Sequence, residues 1–166
     1  MNDLLYISMV KTNIEIKGHL AEYLNGKYFN QEEDCVCLPD SLDLYHAIWD
    51  FMIKRPKDCQ VDPPGNVSLG LPDRRVGKDP ATYNYLGERS VSFIEKRVET
   101  MFFAELRSEL DINKQQYGIN YLDTVYWFIN KYKIESITAD ALIKDFYRWR
   151  EVIRRRKVRR NYNKKA

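Results

Sequence analysis

The 166-residue chain has few of the residues that interrupt regular structure and few that carry covalent or metal chemistry. Its seven glycines and six prolines are about 8% of the residues, against roughly 12% in an average protein, which favours helix over loop. Three cysteines, an odd number, argue against a disulfide framework and indicate a reducing compartment. The sequence has no long apolar run, so we predict neither a membrane protein nor a membrane partner. Its 44% hydrophobic residues are too many for a disordered chain.

No recognisable catalytic, cofactor or zinc motif is present. The nearest approach to a phosphate-binding loop, from Gly70 to Lys78, has six residues between its glycines where four are required, and Asp79 stands where a magnesium-binding hydroxyl is needed. Cys35 and Cys37 form a close pair, but a zinc site needs a second pair of cysteines or histidines, so half-buried structural thiols are the better interpretation. We therefore predict a non-enzymatic protein with no cofactor and no metal site.

The first residues lack the features of a secretory signal. Met1-Asn2-Asp3 is followed by a short apolar stretch that ends at Ile7, with no positive region before it and no small-residue cleavage site after it. We expect a cytoplasmic protein.

The first part of the chain mixes strand and helix signals. From Met9 to Ile16 apolar and polar residues alternate with a period of two, which is typical of a half-buried strand. A later apolar stripe with helical spacing ends at Pro56, since the residue before proline avoids helical geometry. The predicted elements here are strands at 9–16, 35–38 and 67–71 and helices at 19–28 and from Asp40 or Ser41 to about 55.

After residue 76 the pattern is helical. Asp79-Pro80 has the composition of a helix start, because aspartate caps free amides and proline has none to lose. From Ser90 to Leu110 apolar residues recur every three or four positions and predict one long helix. Gly118 separates it from a helix over about Tyr121–Tyr132, with Leu122, Val125, Tyr126 and Ile129 on its apolar face. Ser136 or Thr138 starts the last helix, with Leu142, Phe146, Trp149, Val152 and Ile153 on its apolar side.

These patterns predict an α+β fold. A small N-terminal sheet of about three strands with two helices is followed by an all-helical C-terminal part with one long helix. We place the division between residues 1–76 and 77–166, with a single domain as the alternative.

The charge is distributed unevenly. Residues 144–166 contain eleven basic and two acidic residues, a net of +9, whereas the other 143 residues hold 16 basic and 22 acidic residues, a net of −6. An acidic body with a basic C-terminal segment indicates a polyanionic partner.

The basic segment is the strongest functional signal in the sequence. Lys144, Arg148, Arg155 and Arg159 are four, seven and four residues apart, so they share one helical face, while Phe146, Trp149 and Ile153 face the core. We predict non-enzymatic binding of nucleic acid, with DNA preferred to RNA as the target. The predicted phosphate-binding residues are Lys144, Arg148, Arg154, Arg155, Arg156, Lys157, Arg159 and Arg160. Tyr147 and Tyr162 are candidates for stacking on exposed bases or, equally, for packing within the protein.

Other interpretations of the same features stay open. The segment also suits an acidic protein partner, an anionic membrane surface or a solvated tail, and the many aromatic residues suit a structural protein that oligomerises through its helices. A second, weaker candidate for phosphate contact is the loop with Arg74, Arg75 and Lys78, which precedes the predicted helix start at Asp79.

Three segments carry a resemblance to a known group of proteins. They are Gly77-Lys78-Asp79-Pro80-Ala81-Thr82-Tyr83-Asn84-Tyr85-Leu86, Lys131-Tyr132-Lys133-Ile134-Glu135 and Tyr147-Arg148-Trp149-Arg150. In these the chain resembles uncharacterised small basic proteins of bacterial prophages and other mobile elements. The resemblance extends over most of the chain and implies a role around phage or element DNA, with no activity to transfer to particular residues.

Overall fold

The computed structural model describes the backbone of residues 9–163 and the side chains of these residues except 159 and 161–163. It confirms the α+β fold, with a sheet near the N-terminus and a helical C-terminal part. The predictions that concern residues 1–7, the side chains of Arg159 and Tyr162, and the last three residues lie outside the described part. The elements in chain order are β1 (Lys11–Ile14), α1 (Gly18–Tyr28), β2 (Phe29–Asn30), β3 (Cys35–Val36), α2 (Asp43–Phe51), β4 (Val67–Gly70), α3 (Glu88–Tyr117), α4 (Tyr121–Tyr132) and α5 (Ala139–Asn163).

The sheet has four strands, in the order β1-β4-β3-β2. β1 pairs antiparallel with β4, with Lys11 opposite Gly70, and β4 pairs parallel with β3, with Leu69 opposite Val36. The alternation predicted for the first strand is confirmed, because Thr12 and Ile14 are buried. β2, which pairs with β3, follows directly on α1 and has two residues, too few to produce a sequence pattern.

The chain divides into two compact units, one up to Phe102 and the other from Phe103, so α3 contributes a half to each. In the first unit α1 packs on β2, β3 and β4. Tyr23 and Phe102 are completely buried there, and their rings meet edge to face at 5.3 Å between centroids. His19 contacts the same Phe102 ring at 5.5 Å. Aromatic packing thus ties α1 to the first half of α3.

The environment of His19 makes the stability of this unit depend on pH. Burial, with a smaller effect from the charge of Lys17, holds the pKa of His19 below its usual value of 6.5. The folded state therefore prefers the neutral ring. The contribution of the neutral His19 ring to the free energy of unfolding is complete above 6.5, the pKa of this histidine in the unfolded chain. That contribution is lost as the pH falls below 6.5 and through the lower pKa of the folded state.

We expect the free energy of unfolding to fall between about pH 8 and about pH 5 by more in the natural protein than in His19→Gln, since glutamine does not titrate. Urea unfolding of both proteins at the two pH values measures this difference, and carboxylates that titrate in both cancel. An equal fall in both proteins would exclude His19 as the source.

The predicted helix start at Asp79-Pro80 is wrong. The Asp79 carboxylate does accept a hydrogen bond from the Ala81 amide at 2.9 Å, but only a single turn follows. Tyr85 then exchanges backbone hydrogen bonds with Ile53, of 3.1 and 3.2 Å. This bridge uses the amide and carbonyl that a helix would need, so α3 begins only at Glu88.

The second unit consists of the remainder of α3 with α4 and α5. α4 has the predicted bounds, and the predicted break at Gly118 is confirmed, with φ of +66°. The buried face of α4 differs from the predicted one. The side chains of α4 that are buried in the structure are those of Thr124, Val125, Phe128 and Tyr132. Leu122 and Tyr126, predicted to lie on the apolar face with Val125 and Ile129, are exposed.

α5 begins after Thr138, whose hydroxyl accepts a hydrogen bond from the Ala141 amide at 3.3 Å. Of the two predicted capping residues, Thr138 is therefore the one that caps. Ala139, Leu142 and Phe146 are buried, whereas Trp149 and Ile153 are half-buried and Val152 is exposed. The helix continues to Asn163, so the described part of the basic segment is helical.

Candidate nucleic-acid interface

The outward face of α5 carries a row of basic side chains. Lys144, Arg148 and Arg155 are all exposed and lie on the side of the helix opposite the buried Phe146. At a rise of about 1.5 Å per residue, Lys144 and Arg155 are about 16 Å apart along the helix axis. We call these three residues the outward row. The side chain of Arg159, its predicted fourth member, lies outside the described residues.

Beyond Ile153 the helix is basic on every side. The described side chains from 154 to 158 and at 160 are all exposed, including Val158 at 64%. The bases among them, here called the terminal cluster, are Arg154, Arg155, Arg156, Lys157 and Arg160. Because successive residues turn by about 100° around a helix, these side chains point in all directions. This end of α5 therefore presents basic side chains to a polyanion in several directions.

Glu151 is the acidic residue within the described part of this surface. Its Oε1 accepts hydrogen bonds from Arg154 and Arg155, each at 3.0 Å. The hydrogen bonds from Arg154 and then Arg155 hold the pKa of Glu151 below its usual value. Glu151 is thus a local counter-ion that orients two arginines of the terminal cluster, and a phosphate oxygen has the same acceptor geometry.

Two other arginines of the second unit have structural contacts. Arg150 donates a hydrogen bond to the Tyr121 hydroxyl at 3.0 Å and lies 5.5 Å from the centres of the Tyr121 and Phe146 rings. Arg107 of α3 lies 4.7 Å from the Trp149 ring and pairs with Asp145 at 3.2 Å. These contacts fix α5 against α4 and the second half of α3. Sequence spacing gives no signal for the contacts between helices, because the partners of these arginines on other helices are 29 to 42 residues away.

A groove of about 560 Å³ lies between the second half of α3 and α5. Its walls include the half-buried side chains of Trp149 and Ile153 and the basic Arg154 and Lys157. Asp111 and Glu151 also line it, so its charge is mixed. The outward row and the terminal cluster are therefore the better surface for phosphates.

Tyr147 is about half exposed on α5, at 51%, and its ring meets the Tyr121 ring edge to face at 6.2 Å between centroids. It lies between Lys144 and Arg148 of the outward row along the chain. An exposed aromatic ring beside basic residues is the arrangement that stacks on an unpaired base.

The loop with Arg74, Arg75 and Lys78 is largely engaged with α2. Arg74 hydrogen-bonds the His46 ring and lies 4.8 Å from the centre of the Trp49 ring. Lys78 donates to the carbonyls of Trp49 and Asp50, at 2.9 and 2.7 Å, as expected of a cation at a helix C-terminus. Arg75 is exposed. Since no helix starts at Asp79, the helix-dipole argument for phosphate binding here does not apply, and the contact stays a hypothesis.

The cysteines are free thiols, and Cys35 is buried in β3. Burial in the sheet, followed by the hydrogen bond and the charge of Cys37, raises the pKa of Cys35 to about 12. Cys35 is therefore a thiol at neutral pH, which is unfavourable for nucleophilic chemistry. Within residues 9–163 no group of three or more His, Cys, Asp and Glu side chains is arranged to hold a metal ion.

Comparison with protein-family models, with curated proteins and with solved structures finds no match to this chain. In the part of the chain that the structure describes, no helix is both long and apolar enough to cross a membrane.

Proposed function

We propose that this protein binds nucleic acid, DNA in the first instance, through the outward row and the terminal cluster of α5, without acting as an enzyme. The observation that supports this most is the exposure of every described basic side chain of both groups. Lys144 to Arg160 extends about 24 Å along one helix, which is comparable with several phosphate spacings of a nucleic-acid strand.

The physical basis is counterion release. Each phosphate that a lysine or arginine neutralises frees a condensed cation, so affinity falls steeply with salt concentration. Such contacts need no reading of the bases, because phosphates carry no sequence information. The resemblance to proteins of prophages and mobile elements supports a role around the element's DNA, and we place that role in the cytoplasm.

The experiment measures fluorescence anisotropy of labelled duplex and single-stranded DNA between about 50 and 200 mM salt. The variant combines Lys144→Gln, Arg148→Gln and Arg155→Gln, all exposed. We expect the slope of log affinity against log salt to fall by about 0.9 for each lost contact, and the affinity near 0.1 M salt to fall by up to about 500-fold.

The matched control removes the same charge from exposed positions of the first unit, with Lys57→Gln, Arg89→Gln and Lys96→Gln. If net charge alone governs binding, both triple variants lose affinity equally, and the α5 surface is not the interface. Tighter binding of single-stranded DNA, lost with Tyr147→Ala, would identify base stacking in addition to phosphate contact.

A second candidate function, from a different class, is assembly through the aromatic helices with the basic segment bound to an acidic protein. The observation that favours it is a stripe on one side of α4, where Leu122 and Tyr126 are 43% and 52% exposed and Ile119 lies one turn before Leu122. Apolar side chains at this spacing can pack against a second copy of the chain. Light scattering decides between the two: an oligomer with no affinity for DNA at low salt favours assembly, and a monomer that binds DNA excludes it.

A further inference from the structure

Three sulfur atoms lie together at one end of the sheet. The Sγ atoms of Cys35 and Cys37 are 3.7 Å apart, and the Cys37 Sγ is also 3.7 Å from the Sδ of Met9. Two of these residues are close in sequence, but Met9 is 28 residues from Cys37. The fold therefore supplies a third sulfur that the spacing of the cysteines could not predict.

Local structure holds each member in place. Cys35 and Cys37 are two residues apart in extended chain, so their side chains share a face. The amide of Met9 donates to the Glu33 carboxylate at 2.8 Å, which fixes the chain just before β1 beside the turn that precedes Cys35. Lys11 binds Asp34 of the same turn at 3.3 Å. The backbone that carries the Met9 side chain is thus positioned by contacts outside the three sulfur atoms.

Gly70 provides the space. A Cβ atom at residue 70 would lie 2.4 Å from the Met9 Sδ and 3.1 Å from the Cys35 Sγ. A side chain at residue 70 would push the two sulfur atoms away. The glycine at this position of β4 therefore allows the Met9 Sδ and the Cys35 Sγ to approach the same point.

We propose that Cys35, Cys37 and Met9 form a binding site for copper(I). Thiolate and thioether are soft ligands that select this ion over the harder divalent cations. Three sulfurs bound at about 2.3 Å around one ion in a plane are about 4.0 Å apart. The two separations that involve the Cys37 Sγ are both 3.7 Å and need only a small outward movement to reach that geometry. The Met9 Sδ and the Cys35 Sγ both border the space beside Gly70.

Competing uses of the same atoms fit less well. Zinc prefers four ligands, and among the described residues no three or more His, Cys, Asp and Glu side chains are grouped as such a set requires. A disulfide would need the two Sγ atoms at about 2.05 Å, across a two-residue separation in extended chain that is at the limit of disulfide geometry. A cation bound between the sulfur atoms offsets the repulsion between two thiolates. Binding therefore favours the loss of the thiol protons of Cys35 and Cys37 to solvent.

The test is an anaerobic titration of the reduced full chain with copper(I) in the presence of a chromophoric copper(I) chelator. We expect one equivalent to bind. Cys35→Ser and Cys37→Ser are each expected to lose more than about 100-fold in affinity, beyond the roughly 10- to 100-fold that a partner outside the ligand set costs. Cys59→Ser, which alters the remaining cysteine, is expected to bind as the natural protein does.

One further measurement on two proteins keeps the result interpretable if a cysteine variant does not fold. X-ray absorption at the copper edge is expected to give three sulfur neighbours at about 2.3 Å in the natural protein and two in Met9→Leu, which preserves side-chain size. Binding unaffected in Cys37→Ser, nitrogen or oxygen neighbours at the copper, or two sulfurs in the natural protein would each overturn the proposed site.

Discussion

Removal of residues 154–166 is expected to reduce DNA binding below detection at about 0.1 M salt while the rest of the chain keeps its fold. Eight of the eleven bases of the basic segment are removed. Ile153 is retained because it is half-buried, whereas every described side chain from 154 onward is exposed. Little packing is therefore lost with the charge.

The size of the effect follows from the number of contacts. Six to ten phosphate contacts typically cost about 10³- to 10⁵-fold in affinity between 50 and 200 mM salt, which is the range that eight bases can supply. Anisotropy across that salt range is the measurement. The truncated protein retains Lys144, Arg148 and Arg150, so a residual, weakly salt-dependent affinity at the lowest salt concentration is consistent with the proposal.

Controls separate loss of charge from loss of structure. Urea unfolding of the truncated protein is expected to stay within about 0.5 kcal/mol of the full chain, as for changes at exposed positions. A truncated, folded protein with undiminished affinity would move the interface elsewhere, and the exposed Arg75 would be the next residue to examine. The truncation also frees Glu151 from Arg154 and Arg155, so its pKa should return toward the usual value.

The parts of the fold that could be predicted from sequence are those specified by local pattern. Apolar residues repeat through several turns of α3, and Gly118 interrupts them at the observed place. The bounds of α4 are predictable for the same reason. The orientation of α4 about its own axis is not predictable. Tyr126 and the buried Phe128 are both large aromatic residues, and only the neighbouring helices decide which of them faces inward.

Predictions fail where a distant partner determines the local structure. Asp79 forms the capping hydrogen bond that its sequence indicates, but the Tyr85–Ile53 bridge prevents a helix. Lys78 carries the charge expected of a phosphate ligand, yet the carbonyls at the end of α2 bind it. In both cases the sequence indicates a local preference. A contact with a residue about 30 positions away in the chain overrides that preference.

The candidate site shows the same division. The outward row is predictable, since it depends on helical spacing and on charge alone. The contacts that orient α5, Arg150 with Tyr121 and Arg107 with Trp149, depend on the packing of separate helices. The approach of Met9 to Cys37 likewise depends on the sheet order, which no single strand encodes.

Phe102→Ala is expected to destabilise the protein by about 3–5 kcal/mol, the usual cost of removing a buried phenylalanine. Phe102 is completely buried, and its ring contacts both Tyr23 and His19. The substitution removes the edge-to-face contacts and leaves a cavity between α1 and α3. A typical total stability of about 5–15 kcal/mol exceeds this cost over most of its range, so urea unfolding is the measurement of the loss.

Phe93→Ala in the same helix is the matched control. Phe93 is 42% exposed and its ring pairs with Phe51, so about 1 kcal/mol is expected to be lost. A cost for Phe102→Ala no larger than this would mean that the site collapses and Tyr23 refills it.

If a cavity does form beside His19, water reaches the imidazole and weakens the burial that lowers the pKa of His19. The fall in stability between about pH 8 and about pH 5 should then be smaller in Phe102→Ala than in the natural protein, which links the packing of α3 to the protonation of α1.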